Sequence, residues 1–283
     1  MVRILSDSTC DLSKDLLEKY NIAIVPLHII LGEKDYKDGL DITVDEIYEW
    51  AAANNATPKT SAVSPEEAMN ALSPLLENEE DEVVCFTISE SMSSTYSVMN
   101  IAVDALEAED RVYCINSQNL SSGIGLMVIE AAIMAQEGKS AKEIAEYITK
   151  LRPMVRSSFV VDTLTYLHRG GRCSSVAAMA GGMLKLHPRI AVDGGKMDAG
   201  KKYRGKMSKV VLEYVKDMEE ALLNARPERV FITHSGCEQE TIDEVYSYLL
   251  QLNVFEEILI ARAGSVISSH CGPGTLGVLF IAK

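Results

Sequence analysis

Hydrophobic residues recur along this chain in two alternating rhythms. Short apolar runs rich in β-branched residues stand at 2–5, 22–30, 83–88 and 112–115, the signature of buried strands. Between them, apolar positions three and four apart predict helices over 12–20, 44–53, 65–76, 95–108 and 121–136. Ser64-Pro65-Glu66-Glu67 reads as a helix start, with a serine cap, proline at the first position and acids in the first turn. Gly138-Lys139-Ser140 closes one helix and opens another that runs to about 151. This alternation predicts an α/β domain with a mostly parallel sheet and helices on both faces.

Pro153 marks a domain crossing, so the expected division is 1–153 and 154–283. The second half opens with a strand at 158–161 and a glycine-rich segment, Arg169-Gly170-Gly171-Arg172. A helix over 174–186 follows, then a hairpin turning on Asp193-Gly194-Gly195. A helix over 207–224, a strand at 229–233, a helix over 239–252 and strands at 258–262 and 276–281 complete it. Hairpins mixed with crossovers predict a mixed-sheet α/β domain.

Composition narrows the function. The 283 residues are 47% hydrophobic and 24% charged, with 27 basic and 41 acidic side chains for a net charge of −14. Such a chain has a real core and repels phosphate backbones, which argues against nucleic acid as a partner. The longest greasy stretch, 123–135, is broken by Glu130 and falls short of the ~18–20 residues that cross a bilayer. Met1 to Leu5 reads as a strand and not as a signal peptide, and six scattered cysteines form no CxxC pair. The expected location is cytoplasmic.

Several catalytic signatures are nearly present. Gly195 to Lys202 reads GxxxxGKK, with Lys202 where a phosphate loop needs Ser or Thr for magnesium. Gly123-Ile124-Gly125 lacks the third glycine of a dinucleotide fingerprint, Val128 standing in its place. No GxSxG occurs, and His234 with Cys237 is too little for a zinc site. No cofactor and no metal are expected.

Polar, hydroxyl-bearing turns follow the predicted strands instead: Ser6-Asp7-Ser8-Thr9-Cys10-Asp11, Thr60-Ser61-Ala62-Val63-Ser64-Pro65, Ser89 to Tyr96 with its Ser93-Ser94-Thr95 cluster, and Asn116-Ser117-Gln118. Each serine or threonine can serve as an ordinary helix cap. Gathered at one edge of an open sheet, their hydroxyls and amides suit a carboxylate or a phosphate. A fifth segment, Gly264 to Gly274, sets three glycines and a proline around His270 and predicts a tight loop.

Taken in this order, the segments Ser6–Thr9, Thr60–Pro65, Ser91–Tyr96, Tyr166–Arg172 and Ser268–Gly274 resemble the DegV family over essentially the whole chain. The resemblance implies two α/β domains holding a long-chain fatty acid at their interface. It also implies likeness to the acyl-carrying subunit of bacterial fatty acid kinase, which serves phospholipid metabolism by presenting the acid to a separate ATP-dependent kinase subunit. Carried over by position, the carboxylate ligands are Thr60 or Ser61, Ser93, Ser94 and His270, with Gly272 close by. Arg172 matches an arginine associated with docking the kinase. Three departures from the family pattern stand near the head group: Ser94 for glycine, Ala62-Val63 for Gln-Pro, and Ser268-Ser269 for Gly-Thr.

The physics of an amphiphile asks for a dry channel beside a polar grip. Met179, Met183, Leu184 and Leu186, with Gly181-Gly182 leaving room, form a stripe that suits the tail and equally suits plain core. Burying ~15 CH₂ groups at ~0.8 kcal/mol each is worth ~12 kcal/mol before ordering costs. Charge-assisted hydrogen bonds mostly offset the lost hydration of the carboxylate. The tail therefore sets affinity and the head group sets orientation. Two alternatives remain at this point: a hydrolase or acyltransferase using Ser93 with His270, and a binding protein for another small anion.

Overall fold

The computed structural model describes residues 1–179 and 186–283. In chain order the first half runs β1 (Val2–Asp7), α1 (Lys14–Lys19), β2 (Ile22–Val25), β3 (His28–Leu31), β4 (Lys34–Lys37), α2 (Val44–Asn54), β5 (Lys59–Ser61), α3 (Pro65–Leu72), β6 (Glu82–Thr87), α4 (Thr95–Ala105), β7 (Val112–Asn116), α5 (Ser122–Gln136) and α6 (Ala141–Leu151). Strands β2-β1-β6-β7 form an all-parallel sheet, as the strand–helix alternation requires. Both serine-led starts are full capping boxes. Ser64 and Ser140 accept from the amides of Glu67 and Glu143, whose carboxylates reach back to the cap.

One expected strand is two. The run at 22–30 breaks at Pro26, which has no N–H to continue a ladder. Its first part joins the parallel sheet, and its second part leads a separate three-stranded antiparallel sheet, β4-β3-β5. Thr60 and Ser61, expected in a turn, therefore stand on strand β5.

The second half runs β8 (Val155–Val160), α7 (Thr165–Gly170), α8 (Ser174–Met179), β9 (Leu186–Asp193), β10 (Lys196–Arg204), α9 (Met207–Lys216), α10 (Glu219–Leu223), β11 (Ala225–His234), α11 (Gln239–Leu252), β12 (Glu257–Arg262), α12 (Ser265–Cys271) and β13 (Leu276–Ala282). The sheet order is β10-β9-β8-β13-β11-β12, parallel only between β11 and β12, so the sheet is mixed. The near phosphate loop at 195–202 is the turn and outer strand of the β9–β10 hairpin, with no helix behind it. The helix expected over 207–224 is interrupted at Asp217 and Met218. Among the described residues, no helix is long and apolar enough to cross a membrane.

Helix α5 joins the two halves. It is apolar nearly all round, and Ser122 to Ala132 are buried without a break, because β1 and β6 cover one side while β8 and β13 approach the other. Polar pins cross the same junction. Glu130 pairs with Arg226 at 3.3 Å and with Arg229, and Ser122 Oγ lies 2.7 Å from Thr233 Oγ1.

Candidate functional site

A cavity of about 240 Å³ opens where the two halves meet. Its polar groups come from four places: Thr60 and Ser61 on β5, Ser93 and Ser94 at the start of α4, Arg172 after α7, and His270 on α12. Its remaining wall is apolar. Leu27, Ile88, Met92 and Leu120 come from the first half, and Leu167, Met197, Val266, Ile267 and Cys271 from the second. The two kinds of residue are graded by depth. Ser61, Ser94 and Arg172 are exposed, Thr60, Ser93 and His270 are half-buried, and all nine of those apolar residues are buried.

The hydrogen bonds show which groups are committed. Thr60 Oγ1 lies 2.8 Å from His270 Nε2. The other imidazole nitrogen, Nδ1, is buried and has no partner among the described residues, because the ring packs against Gly170. A Cβ there would stand 2.4 Å from Nδ1. Burial, with the Arg172 guanidinium adding to it, holds the His270 pKa down at about 4, so the ring is neutral at pH 7. Ser93 Oγ pairs with Thr95 Oγ1 at 2.8 Å. Ser94 sits at the cap position of α4, yet its side chain makes no cap hydrogen bond. Arg172 donates to the carbonyls of Met92 at 3.3 Å and Gly170 at 2.7 Å, tying the two halves at the cavity mouth.

A family model described as "Uncharacterised protein, DegV family" matches residues 1–283. The chain belongs to the DegV family. It is 32% identical over 284 residues to a DegV domain-containing protein of Caldanaerobacter subterraneus, covering 100% of this chain and 99% of the relative. A DegV family protein from Thermus thermophilus, whose structure is described in terms of fatty acid binding, is 31% identical with a TM-score of 0.91, covering 100% and 99% of the two chains. A stearic acid-binding protein from Eubacterium ventriosum is 29% identical with a TM-score of 0.85 over the same shares.

Of the positions carried over from the DegV motifs, Thr60, Ser61, Ser93, Ser94, His270 and Arg172 line the one cavity. Two expectations need correction. His270 stands on a helix and not in a loop, because residues 265–271 close a two-turn helix that ends at Gly272 with φ +76°. Gly272 is not part of the cavity wall. A Cβ there would fall 2.6 Å from the Tyr166 ring, and its carbonyl accepts from Ser235, so its role is to end α12 and let Tyr166 approach.

Of the expected tail-lining stripe, only the side chain of Leu186 falls among the described residues. Leu186 is the first residue of β9, paired with Arg204, and does not line the cavity. Met183 and Leu184 lie outside the described residues, as does the side chain of Met179. The buried apolar wall residues named above were missed. Val266 and Ile267 stand inside the polar segment 264–274, where their i, i+4 spacing to His270 and Cys271 is the available signal for a helix face.

The first and fourth polar segments do not line the cavity: Asp11 bonds across the junction, while Asp7 and Asn116 bond within the first half. Asp7 accepts from the amides of Thr9 at 3.0 Å and Ile88 at 2.7 Å, and burial raises its pKa to about 6. Asp11 accepts from Ser121 Oγ and from the Gly264 amide at 2.8 Å, and burial raises it to about 8. Asn116 Oδ1 accepts from the amides of Glu90 and Gln118. Among the described residues, no three His, Cys, Asp or Glu side chains gather as metal ligands.

Proposed function

We propose that this protein binds a long-chain fatty acid between its two domains, divided at 153/154, and presents it to a separate ATP-dependent kinase subunit. In that reading the kinase transfers the γ-phosphoryl group of ATP to a carboxylate oxygen, giving an acyl phosphate and ADP. The observation that carries the reading is the depth gradient of the cavity, with hydroxyls and an imidazole at the mouth and only apolar side chains beneath. A carboxylate is an acceptor only. Thr60, Ser61, Ser93 and Ser94 can all turn hydroxyl protons toward it, and a neutral His270 can donate from Nε2 without placing a buried charge beside the tail. The exposed Ser61 and Ser94 keep the head group at the surface, where a kinase can reach it. Arg172, at the same mouth, is the residue we assign to docking that partner.

A narrow second cavity of about 20 Å³ lies behind α12 and shares Leu120, Ile267 and Cys271 with the first. Leu120, Phe159, Ala263, Ile267, Cys271 and Leu279 line it beside Ser121, Thr233, His234, Ser235 and Thr275, and it would extend the tail's path between α12 and the mixed sheet. Relatives described as fatty-acid-binding support the same reading, and it places the protein in bacterial phospholipid metabolism, in the cytoplasm. The rival hydrolase needs Ser93 against His270 and an acid behind the ring. Here Ser93 bonds Thr95, His270 bonds Thr60, and Nδ1 faces Gly170. Denaturing purified protein and analysing the organic extract by mass spectrometry tests the proposal. Long-chain fatty acid at about one per chain is expected; an empty extract with no binding of added palmitic or oleic acid overturns it.

A further inference from the structure

Helix α12 supplies His270 and three residues of the apolar wall, yet it has no cap of its own. The residue before it is Gly264, which has no side chain to accept from the first amides. The side chains that serve instead come from the far end of the sequence. Asp11 Oδ1 accepts from the Gly264 N–H at 2.8 Å, and Asp38 Oδ1 accepts from the Ser265 N–H at 2.8 Å. The second oxygen of Asp38 accepts from Ser8 Oγ at 2.8 Å, and Ser8 Oγ in turn accepts from the Leu27 N–H at 3.1 Å. Leu27 is itself a wall residue. The fit is close, since a Cβ on Gly264 would stand 3.1 Å from Asp11 Oδ1 and 3.3 Å from both oxygens of Asp38.

The serines within α12 do not share this task. Ser268 and Ser269 turn their hydroxyls back to the carbonyls of Ala263 and Ser265. The N-terminal end of α12 is therefore held by Asp11 and Asp38, and its C-terminal end carries the imidazole that meets Thr60.

We propose that Asp11 and Asp38 are positioning residues for the head-group site: by capping α12 across the domain junction they set His270 against Thr60. The proposal rests on the fatty-acid reading and deepens it. It requires that loosening the cap impair recognition of the carboxylate more than accommodation of the alkyl chain. Isothermal titration with palmitic acid and with 1-hexadecanol, both delivered from cyclodextrin, separates the two.

Asp38→Ala is expected to weaken the acid about tenfold, the worth of roughly one hydrogen bond to a charged group, with less than a twofold change for the alcohol. Asp38→Asn keeps an acceptor oxygen toward Ser265 and is expected to recover most of the loss. Ile267→Ala, which trims the wall, is expected to weaken both ligands by the same factor. If Asp38→Ala instead follows the Ile267→Ala pattern, or leaves the ratio of the two affinities at its wild-type value, the positioning role is overturned. Should Asp38→Ala not fold, Ser8→Ala carries the test. A smaller shift of the ratio in the same direction is expected, and an unchanged ratio overturns the proposal. Wild-type protein that binds neither ligand overturns the fatty-acid reading itself, an outcome distinct from failure of the clamp.

Discussion

The junction between the two halves holds two polar clusters, the buried carboxylates Asp7, Asp11 and Asp38 and the half-buried to exposed hydroxyls around His270. Burial perturbs both, raising Asp7 to about 6 and Asp11 to about 8 while lowering His270 to about 4. They differ in how far their hydrogen-bonding capacity is used. Both oxygens of Asp11 and of Asp38 have protein donors. Ser94 makes no cap bond, and His270 keeps one nitrogen against a glycine with only Thr60 at the other. A brace spends its polar atoms within the fold, whereas a binding site leaves some to be completed by the ligand.

The sharpest way to break this comparison is at the imidazole. His270→Ala removes a donor to a charged head group, and a loss of about 10–100-fold in fatty acid affinity is expected, with the methyl ester of the same chain little affected. Gly170→Ala reaches the same group without replacing it. The added Cβ would stand 2.4 Å from Nδ1, so the ring must leave Thr60. Its expected cost is about tenfold in affinity, while alanine's better helix propensity leaves the melting temperature little changed. Titration beside a thermal melt checks both; a Gly170→Ala protein with wild-type affinity removes His270 from the site.

Much of this site was legible in the sequence, because its chemistry sits in side chains whose types are visible. The hydroxyl-rich strand ends, the capping boxes at Ser64 and Ser140 and the parallel first sheet all follow from local rules. The failures share a cause. Pro26 divides one apolar run between two sheets, but only the tertiary partner of His28 to Leu31 shows that a second sheet exists. The run around His270 holds glycines and a proline, yet the stretch between them is helical because two aspartates from the other end of the chain cap it. The Asp7 segment was grouped with the anion ligands because an exposed serine and a bracing one look alike until burial separates them. Apart from the three residues of α12, the tail wall draws its residues singly or in pairs from α7, β10 and the connecting segments, a pattern with no period to detect.

The carboxylate side of the comparison is sharpened by pH. Asp11 faces Asp7, Asp38, the Ser121 hydroxyl and the Gly264 amide. Its folded-state pKa of about 8 lies above the ordinary carboxylate value of about 3.9 in the unfolded chain. Between those values the native state binds the extra proton, so this group's contribution to stability falls as pH rises from about 4 to about 8. Asparagine cannot ionise. Asp11→Asn is therefore expected to gain on wild type as pH rises, by on the order of 5 °C in melting temperature between pH 5 and pH 9. His270 acts with the opposite sign. Its folded pKa of about 4 lies below the ordinary value of 6.5, so its contribution to stability is lost on acidification through that window. A melting-temperature difference that stays flat from pH 5 to pH 9 would mean that Asp11 is ionised throughout.

The smallest effect is expected at Ser94, and there the comparison meets its finest test. A serine at a helix start ordinarily contributes ~1 kcal/mol through its cap bond, and replacing it with alanine costs that much. Ser94 makes no such bond, so Ser94→Ala should change stability by no more than about 0.5 kcal/mol. Its hydroxyl stands at the exposed rim of the cavity, where water competes for the carboxylate and one hydrogen bond is worth little. Fatty acid affinity should fall by about two- to fivefold, the low end of a neutral donor's contribution. Ser64→Ala is the matched control, because Ser64 caps α3 through the Glu67 amide and stands outside the cavity. It should lower the melting temperature and leave affinity alone. The two serines, alike in sequence context at the start of a helix, would then separate into one that holds the fold and one that meets the ligand.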